Sequence, residues 1–425
     1  MMVGYAASYF VRLNLSFAML GMESDLGYSK GQLGRIVSVF GVIYGLGKFI
    51  SGILGDRSKT RTFMSVGLLL AAVANILMAR ASNLYLLIVI WAFNSCFQST
   101  GAPSCAKMLA HWFSPKEIGT RWAIWSSSQQ LGLIIISLVL PTLIAWYGWR
   151  FAFWGPGVFC IAIAAFVYWG LRDEPQSVGL PSVEKMKGLS TAEDDECAHL
   201  TPFQVLVTKV LRNKIVWAMC LANFFVYFVR MGFLSWGPTF LKEAKGCSLT
   251  SGGNLMAIFN AAGALGAIAA GRLSDTYFKG YRGRAGFCYM AGLSLSMLGM
   301  LYLPFGGGSW LSRQMPACVM FLVGFFVAGP QAMVGVAAVD MASKRAAGAA
   351  SGLTGSCGYI GGTTLAGAGI AYVASGVYKW NGVFMLFLIA SVVGACCFLF
   401  SWNVRAKSLD VSKPKLEKDN QEKAA

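Results

Sequence analysis

The sequence predicts an all-α membrane protein, with twelve transmembrane helices arranged as two pseudo-symmetric six-helix bundles. Three observations carry that prediction. Of the 425 residues, 56% are hydrophobic and only 12% charged, about half the charged fraction of soluble domains. Apolar runs of roughly 20 residues, the length that crosses a bilayer core, recur twelve times between polar stretches. Two motifs of the first half return in the second at nearly one offset. The 50 Gly, 29 Phe and 13 Trp suit helices packed closely in lipid, with aromatic anchors at the interfaces. A soluble enzyme and a disordered chain are both excluded.

Taken in order, the first run covers residues 2–22. It lacks a basic leader and carries Arg12 at its centre, which speaks against a cleaved signal peptide. Runs 34–54, 63–80, 85–106, 122–145 and 150–170 follow. Segment 172–214, with the acidic run Glu193-Asp194-Asp195-Glu196, is the one long internal linker. Beyond it lie runs 215–238, 252–271, 286–305, 314–338, 348–373 and 381–402. The expected organisation is an N-terminal bundle over 1–171, a cytoplasmic linker, a C-terminal bundle over 215–402 and a tail over 403–425. One set of alternate loops plus the tail holds 24 of the 35 Lys and Arg, and the other set holds eight. Because basic residues stay on the cytoplasmic side, both termini are expected there, in a multi-pass protein of the bacterial inner membrane. The net charge of +17 is therefore positive-inside asymmetry, and no nucleic-acid partner is expected. Most of the eleven cysteines lie inside apolar runs without a CxxC pair, so they read as small packing residues, and no metal or cofactor is expected.

The internal echo is specific. Tyr9-Phe10-Val11-Arg12 recurs as Tyr227-Phe228-Val229-Arg230, an offset of 218, and Gly52-Ile53-Leu54-Gly55-Asp56-Arg57 is matched by Gly271-Arg272-Leu273-Ser274-Asp275, an offset of 219 between the aspartates. Two parallel halves flanking a midplane site form the plan of the major facilitator fold. Asp56 and Arg57, with Asp275 in register, place carboxylates beside cations at helix ends. Charge-assisted bonds there would lock the cytoplasmic face and break when the halves rock. Lys59 and Arg61 merely satisfy the positive-inside rule.

Three ionisable residues fall inside the spans, and all are cations: Arg12, Lys48 and Arg230. No Asp or Glu falls inside a span, and Asp340 lies just beyond the end of span ten. A mid-membrane arginine costs about 2.5 to 3.5 kcal/mol on insertion scales and is normally paired. The sequence offers no partner, so the pair is expected to meet an anionic substrate, since a guanidinium fork fits carboxylate or phosphate oxygens. Lys48 lies within snorkelling reach of the interface and reads either as a third ligand or as an anchor. A cationic site with no membrane carboxylate to neutralise it favours obligatory exchange of one anion for another.

Further motifs carry a resemblance. Arg172-Asp173-Glu174-Pro175-Gln176-Ser177-Val178-Gly179-Leu180-Pro181, Tyr44-Gly45-Leu46-Gly47-Lys48-Phe49, Trp112-Phe113-Ser114-Pro115-Lys116-Glu117 and Gly355-Ser356-Cys357-Gly358-Tyr359-Ile360-Gly361-Gly362 make the chain similar, end to end, to the organophosphate:phosphate antiporters of the major facilitator superfamily. The resemblance implies exchange of a phosphorylated sugar or polyol for inorganic phosphate, with Arg12 and Arg230 on the phosphoryl group and Lys48 as the basic residue of the second helix. It also carries over Tyr9, Tyr227 and Tyr359. Two positions depart from the glycerol-3-phosphate members: Gln129 stands where those have His, and Asn260 where those have Glu. Neither replacement titrates. Gln129, Asn260, Trp125 and Tyr359 are the candidates for reading the uncharged part of the substrate. The runs Gly4-Tyr5-Ala6-Ala7-Ser8-Tyr9-Phe10 and Gly329-Pro330-Gln331-Ala332-Met333-Val334-Gly335 look most like the hexose-phosphate branch, ahead of a glycerol-3-phosphate or phosphoglycerate antiporter. That branch also contains a membrane sensor of hexose phosphate, which would bring a sensor-kinase partner where a transporter is expected as a monomer. With no Walker P-loop, clustered Cys and His or nucleophile motif, an ATP-driven pump and an enzyme are not expected.

Overall fold

The computed structural model of the protein describes residues 1–113, 118–181, 211–302, 310–341 and 353–404. The acidic run of the linker, the tail beyond 404 and the side chains of Asp56, Arg57 and Asp340 lie outside what it describes. The described residues form helices joined by turns and short loops, with no strand among them.

Among the described residues, nine helices are long and apolar enough to cross a membrane, and they coincide with expected spans three to ten and twelve. Spans three and four are α4 (Thr60–Arg80) and the pair α5 (Leu84–Gln98) and α6 (Gly101–Trp112), which bend at Ser99-Thr100. Spans five and six are α7 (Ile118–Tyr147) and α8 (Phe151–Gly170). Spans seven to ten are α9 (Lys214–Lys245), α10 (Leu249–Arg272), α11 (Arg282–Tyr302) and α12 (Trp310–Met341), and the last is α14 (Lys379–Leu399). Turn chemistry sets several ends. Gly27 and Gly246, 219 residues apart, both close their helices in the left-handed conformation, with φ of 69° and 66°.

The other three expected spans, one, two and eleven, are not among those nine. Span one is interrupted: α1 (Met2–Ser8) and α2 (Asn14–Leu26) are separated by tight turns over 9–13. Span two is the 28-residue α3 (Lys30–Arg57), rich in glycine and cations. Span eleven contains π-helical stretches, Cys357–Thr363 and Leu365–Gly369, leading into α13 (Ile370–Ser375). These three segments carry Tyr9, Arg12, Lys48 and Tyr359. Irregular backbone at membrane depth is tolerated only where protein groups satisfy it. Ser38 of α3 does so for the π segment, since its Oγ donates to the carbonyl of Thr364 at 2.7 Å and accepts from the amide of Ala368 at 2.8 Å.

Those bonds also join the two repeats. Close to them a Cβ on Gly34 would lie 2.6 Å from the Ala371 Cβ and 2.8 Å from the Gly367 carbonyl oxygen, so the backbones meet because no side chain stands between them. One turn away is a charge cluster. Lys30 Nζ sits 3.0 Å from Glu243 and 3.9 Å from Glu23, and Trp380 Nε1 donates to Glu243 at 2.9 Å. The contacts run along the end of the bundle that holds loops 27–29, 246–248 and 376–378, termed here the outer face. On that face the repeats are sealed against each other. Burial foremost, with repulsion from Glu243, pushes the Glu23 carboxyl above its ordinary pKa against the opposing pull of Lys30.

Candidate substrate site

Below that seal the aromatic residues of four segments converge. Tyr44 of α3 packs on Tyr359 with ring centroids 4.7 Å apart, and Tyr359 meets Tyr227 of α9 at 4.9 Å. Tyr9, 4% exposed, lies beside them at the interruption of span one. Both arginines border this cluster. The Arg12 guanidinium carbon stands 4.5 Å from the Tyr44 centroid and 4.6 Å from that of Tyr9, which is cation–π range. Arg230 is 2% exposed, and both guanidiniums interact electrostatically with Tyr9 and Tyr359. Arg12 thus packs on the tyrosine cluster, and Arg230 lies three residues after its member Tyr227 in α9. A cavity of about 60 Å³ opens beside it, with Tyr9, Arg12, Phe40, Gln129, Trp91 and Tyr359 in its wall.

The two arginines are not equivalent in surroundings. Among the described residues the ion pairs leave both out, as the absence of membrane carboxylates requires. The expectation that nothing in the chain pairs them is nevertheless corrected for Arg12, whose Nε donates to Gln98 Oε1 at 2.7 Å. Gln98 belongs to a buried carboxamide network. Its Nε2 donates to the Val11 carbonyl at 2.6 Å, a carbonyl that Asn94 and Asn75 also reach at 3.1 and 3.2 Å. Asn14 extends the chain to Asn75 and to the Ala152 carbonyl. The interruption at 9–13 frees the Val11 carbonyl from the helical ladder, and these amides replace the lost partner. In α9 the same four-residue motif lies within an unbroken helix. There the Arg230 Nε is buried with no hydrogen-bond partner among the described residues.

The other predicted residues divide. Tyr227 is held by Gln331, whose Nε2 donates to its hydroxyl at 3.1 Å. Lys48 is exposed, with Nζ 5.7 Å from the Tyr359 centroid, a position compatible with either of its readings. Trp125 is buried against Tyr5 at 4.7 Å. Asn260 is not brought to the cavity. It is 1% exposed and donates to the Met256 carbonyl of its own helix at 2.8 Å, with Ser137 of α7 at 3.5 Å. Asp275 pairs with Arg282 across its own turn, and among the described residues with no cation of the other half. Sequence reasoning missed Gln98, Tyr44 and Gln331 as site neighbours. Gln98 was the one with a readable signal, being a polar side chain one turn after Asn94 in an apolar run.

The sequence profile of the Major Facilitator Superfamily matches residues 1–366. The chain belongs to that superfamily. A probable hexose phosphate transport protein of Chlamydia trachomatis is 36% identical over 420 residues, covering 96% of this chain and 91% of that protein. The membrane sensor protein UhpC of Escherichia coli is 35% identical over 399 residues, covering 93% and 89%. The hexose-6-phosphate:phosphate antiporter of the same organism is 31% identical over 422 residues, covering 93% and 87%. The resemblance to organophosphate:phosphate antiporters is thereby borne out. Among solved structures, a bacterial homologue of the lysosomal transporter Spinster, in an inward-facing and unoccupied conformation, superposes with a TM-score of 0.73 at 14% identity, covering 94% of this chain and 95% of that one, which bears out the fold.

Proposed function

We propose that this superfamily member is a secondary active transporter that exchanges a hexose phosphate for inorganic phosphate by alternating access across the bacterial inner membrane. Residues 1–171 and 215–402 act as its two rocking halves, with both termini cytoplasmic. The observation that carries the reading is the pair of half-buried Arg12 and buried Arg230 beside one tyrosine cluster, with no acidic partner among the described residues. Buried charges demand a counter-charge, and two guanidiniums offer the donors that a phosphoryl group accepts. Tyr9, Tyr227, Tyr359 and Lys48 complete the phosphoryl side, and Gln129 with Trp125 reads the sugar. Asn260 acts through Ser137 on the packing of α7 rather than on the ligand.

Exchange follows from the same pair, because reorienting an empty site would leave two cations facing each other in low dielectric. Proteoliposomes loaded with inorganic phosphate should accumulate labelled glucose 6-phosphate, and empty ones should not. Equal uptake into empty vesicles under an inward proton gradient would make the protein a symporter. The similarity to a membrane sensor favours one second reading, recognition of the same ligand without flux. Saturable binding of glucose 6-phosphate with no exchange in either vesicle would establish it.

A further inference from the structure

We propose that Gln98 is a positioning residue that fixes Arg12 as the preformed half of the anion clamp, leaving Arg230 as the half that orders when the anion arrives. The inference rests on the phosphate-site reading above and deepens it. Arginine carries five N–H donors in a rigid fork. Gln98 takes the Nε donor of Arg12 at 2.7 Å, and the Arg12 Nη2, buried with no hydrogen-bond partner among the described residues, is left for a ligand. Gln98 is itself 4% exposed and anchored at its other end by the Val11 carbonyl at 2.6 Å and by Asn94 Oδ1 at 3.1 Å. Its orientation is thereby assigned: the oxygen faces the guanidinium and the amide nitrogen faces the backbone. Tyr9 and Tyr44 hold the guanidinium from its sides.

The choice of a carboxamide has a chemical consequence. A neutral acceptor orients the guanidinium and leaves its charge available, whereas a carboxylate at the same place would neutralise it and compete with the substrate. Gln98 gives Arg12 direction without supplying the counter-charge. The Arg230 Nε has no such partner among the described residues. A buried donor without a hydrogen bond of its own gains most when a ligand supplies one.

The test is binding of radiolabelled inorganic phosphate to purified full-length protein across a pH series, each variant compared with wild type at the same pH. Gln98→Glu is nearly isosteric. Protonated, its carboxyl can still accept from Arg12 and donate to the Val11 carbonyl. Ionised, it neutralises the guanidinium and repels that carbonyl. Affinity is expected to match wild type within a few-fold at the acid end and to fall at least tenfold at the alkaline end, in keeping with the strength of charge-assisted bonds. Gln98→Met keeps the volume and removes the acceptor, and should lose about tenfold or more in affinity at every pH with maximal exchange velocity changed far less. A loss in Gln98→Glu that does not vary with pH would reduce Gln98 to a structural residue and overturn the proposal. Should that variant not fold, wild-type affinity in Gln98→Met would overturn it equally. If wild-type protein itself fails to bind phosphate, the phosphate-site reading falls. If wild type binds and the variants behave as wild type at all pH values, only the role of Gln98 falls.

Discussion

Gly34→Ala tests whether the outer seal governs alternating access, because it touches the contact between the repeats and leaves both arginines alone. The added Cβ would lie 2.6 Å from the Ala371 Cβ and 2.8 Å from the Gly367 carbonyl oxygen. Ordinary contact begins near 3.4 Å, so the helices must part by about 0.6 to 0.8 Å, the differences 3.4 − 2.8 and 3.4 − 2.6. One obstacle is backbone and the other a methyl with no rotamer to yield. Overpacking of this kind costs about 1–3 kcal/mol, and at 1.4 kcal/mol per tenfold the sealed state should lose about 5- to 150-fold in population against the state open on that face. Spin labels placed at the exposed Ser24 and Thr250 should report a longer distance, phosphate affinity should stay near wild type, and exchange should slow. Gly170→Ala is the control, since no atom lies within 4 Å of its Cβ. A Gly34→Ala distance distribution identical to wild type, with unchanged exchange, would refute the assignment of the seal.

The remaining expectations concern the charges. Arg12→Lys or Arg230→Lys keeps the charge but loses the fork, and each should remove at least nine-tenths of exchange with insertion intact; uptake near wild type would take that residue out of the clamp. Lys48→Ala should weaken phosphate affinity only a few-fold, and an affinity equal to wild type would assign Lys48 to the interface. Lys30→Ala removes the cation between Glu23 and Glu243; partly exposed pairs contribute about 0.2–1 kcal/mol, so labels across the outer face should move apart as in Gly34→Ala but less, with the difference from wild type shrinking in high salt. Because the Glu23 carboxyl has a raised pKa in the sealed state, it takes up a proton there more readily than in water. Acidification through that raised value should therefore favour the sealed state, and a distance that lengthens on acidification would contradict the cause assigned.

The repeat and the arginine pair were legible because lipid makes charge rare: three cations in twelve apolar runs stand out, and two of them fall in the same four-residue motif. What surrounds them was not legible. The carboxamides Asn14, Asn75, Asn94 and Gln98 come from three elements, and their meeting around the Val11 carbonyl, which the last three reach directly, depends on how α2, α4, α5 and the turns at 9–13 pack, which hydropathy does not encode. Asn260 shows the converse. Its place where related glycerol-3-phosphate carriers have Glu suggested the cavity, but a one-turn bond to Met256 aims the side chain along its own helix. The link from Lys30 to Glu243 joins residues at helix ends, where charge is ordinary, and it exists only when the repeats are rocked together on that face.

Sequence identity between the halves therefore specifies the chemistry of the site but not its mechanics. Tyr-Phe-Val-Arg is the same string twice, yet one copy is held in interrupted backbone by three side-chain amides and the other lies within a helix with its guanidinium Nε unpartnered among the described residues. A clamp with two rigid jaws would bind without coupling to motion, and one with two loose jaws would lose most of its binding energy in ordering both. One fixed arginine and one that orders on the ligand lets the anion do work on a single half. That half is joined to the seal: α9 runs from Arg230 past Pro238 to Glu243 as one helix, so displacement of Arg230 toward a phosphoryl group acts on the same helix that carries the outer contact with Lys30. Binding and closure then share one element, and an anion with higher affinity for the state that brings Arg230 to it biases the equilibrium toward that state.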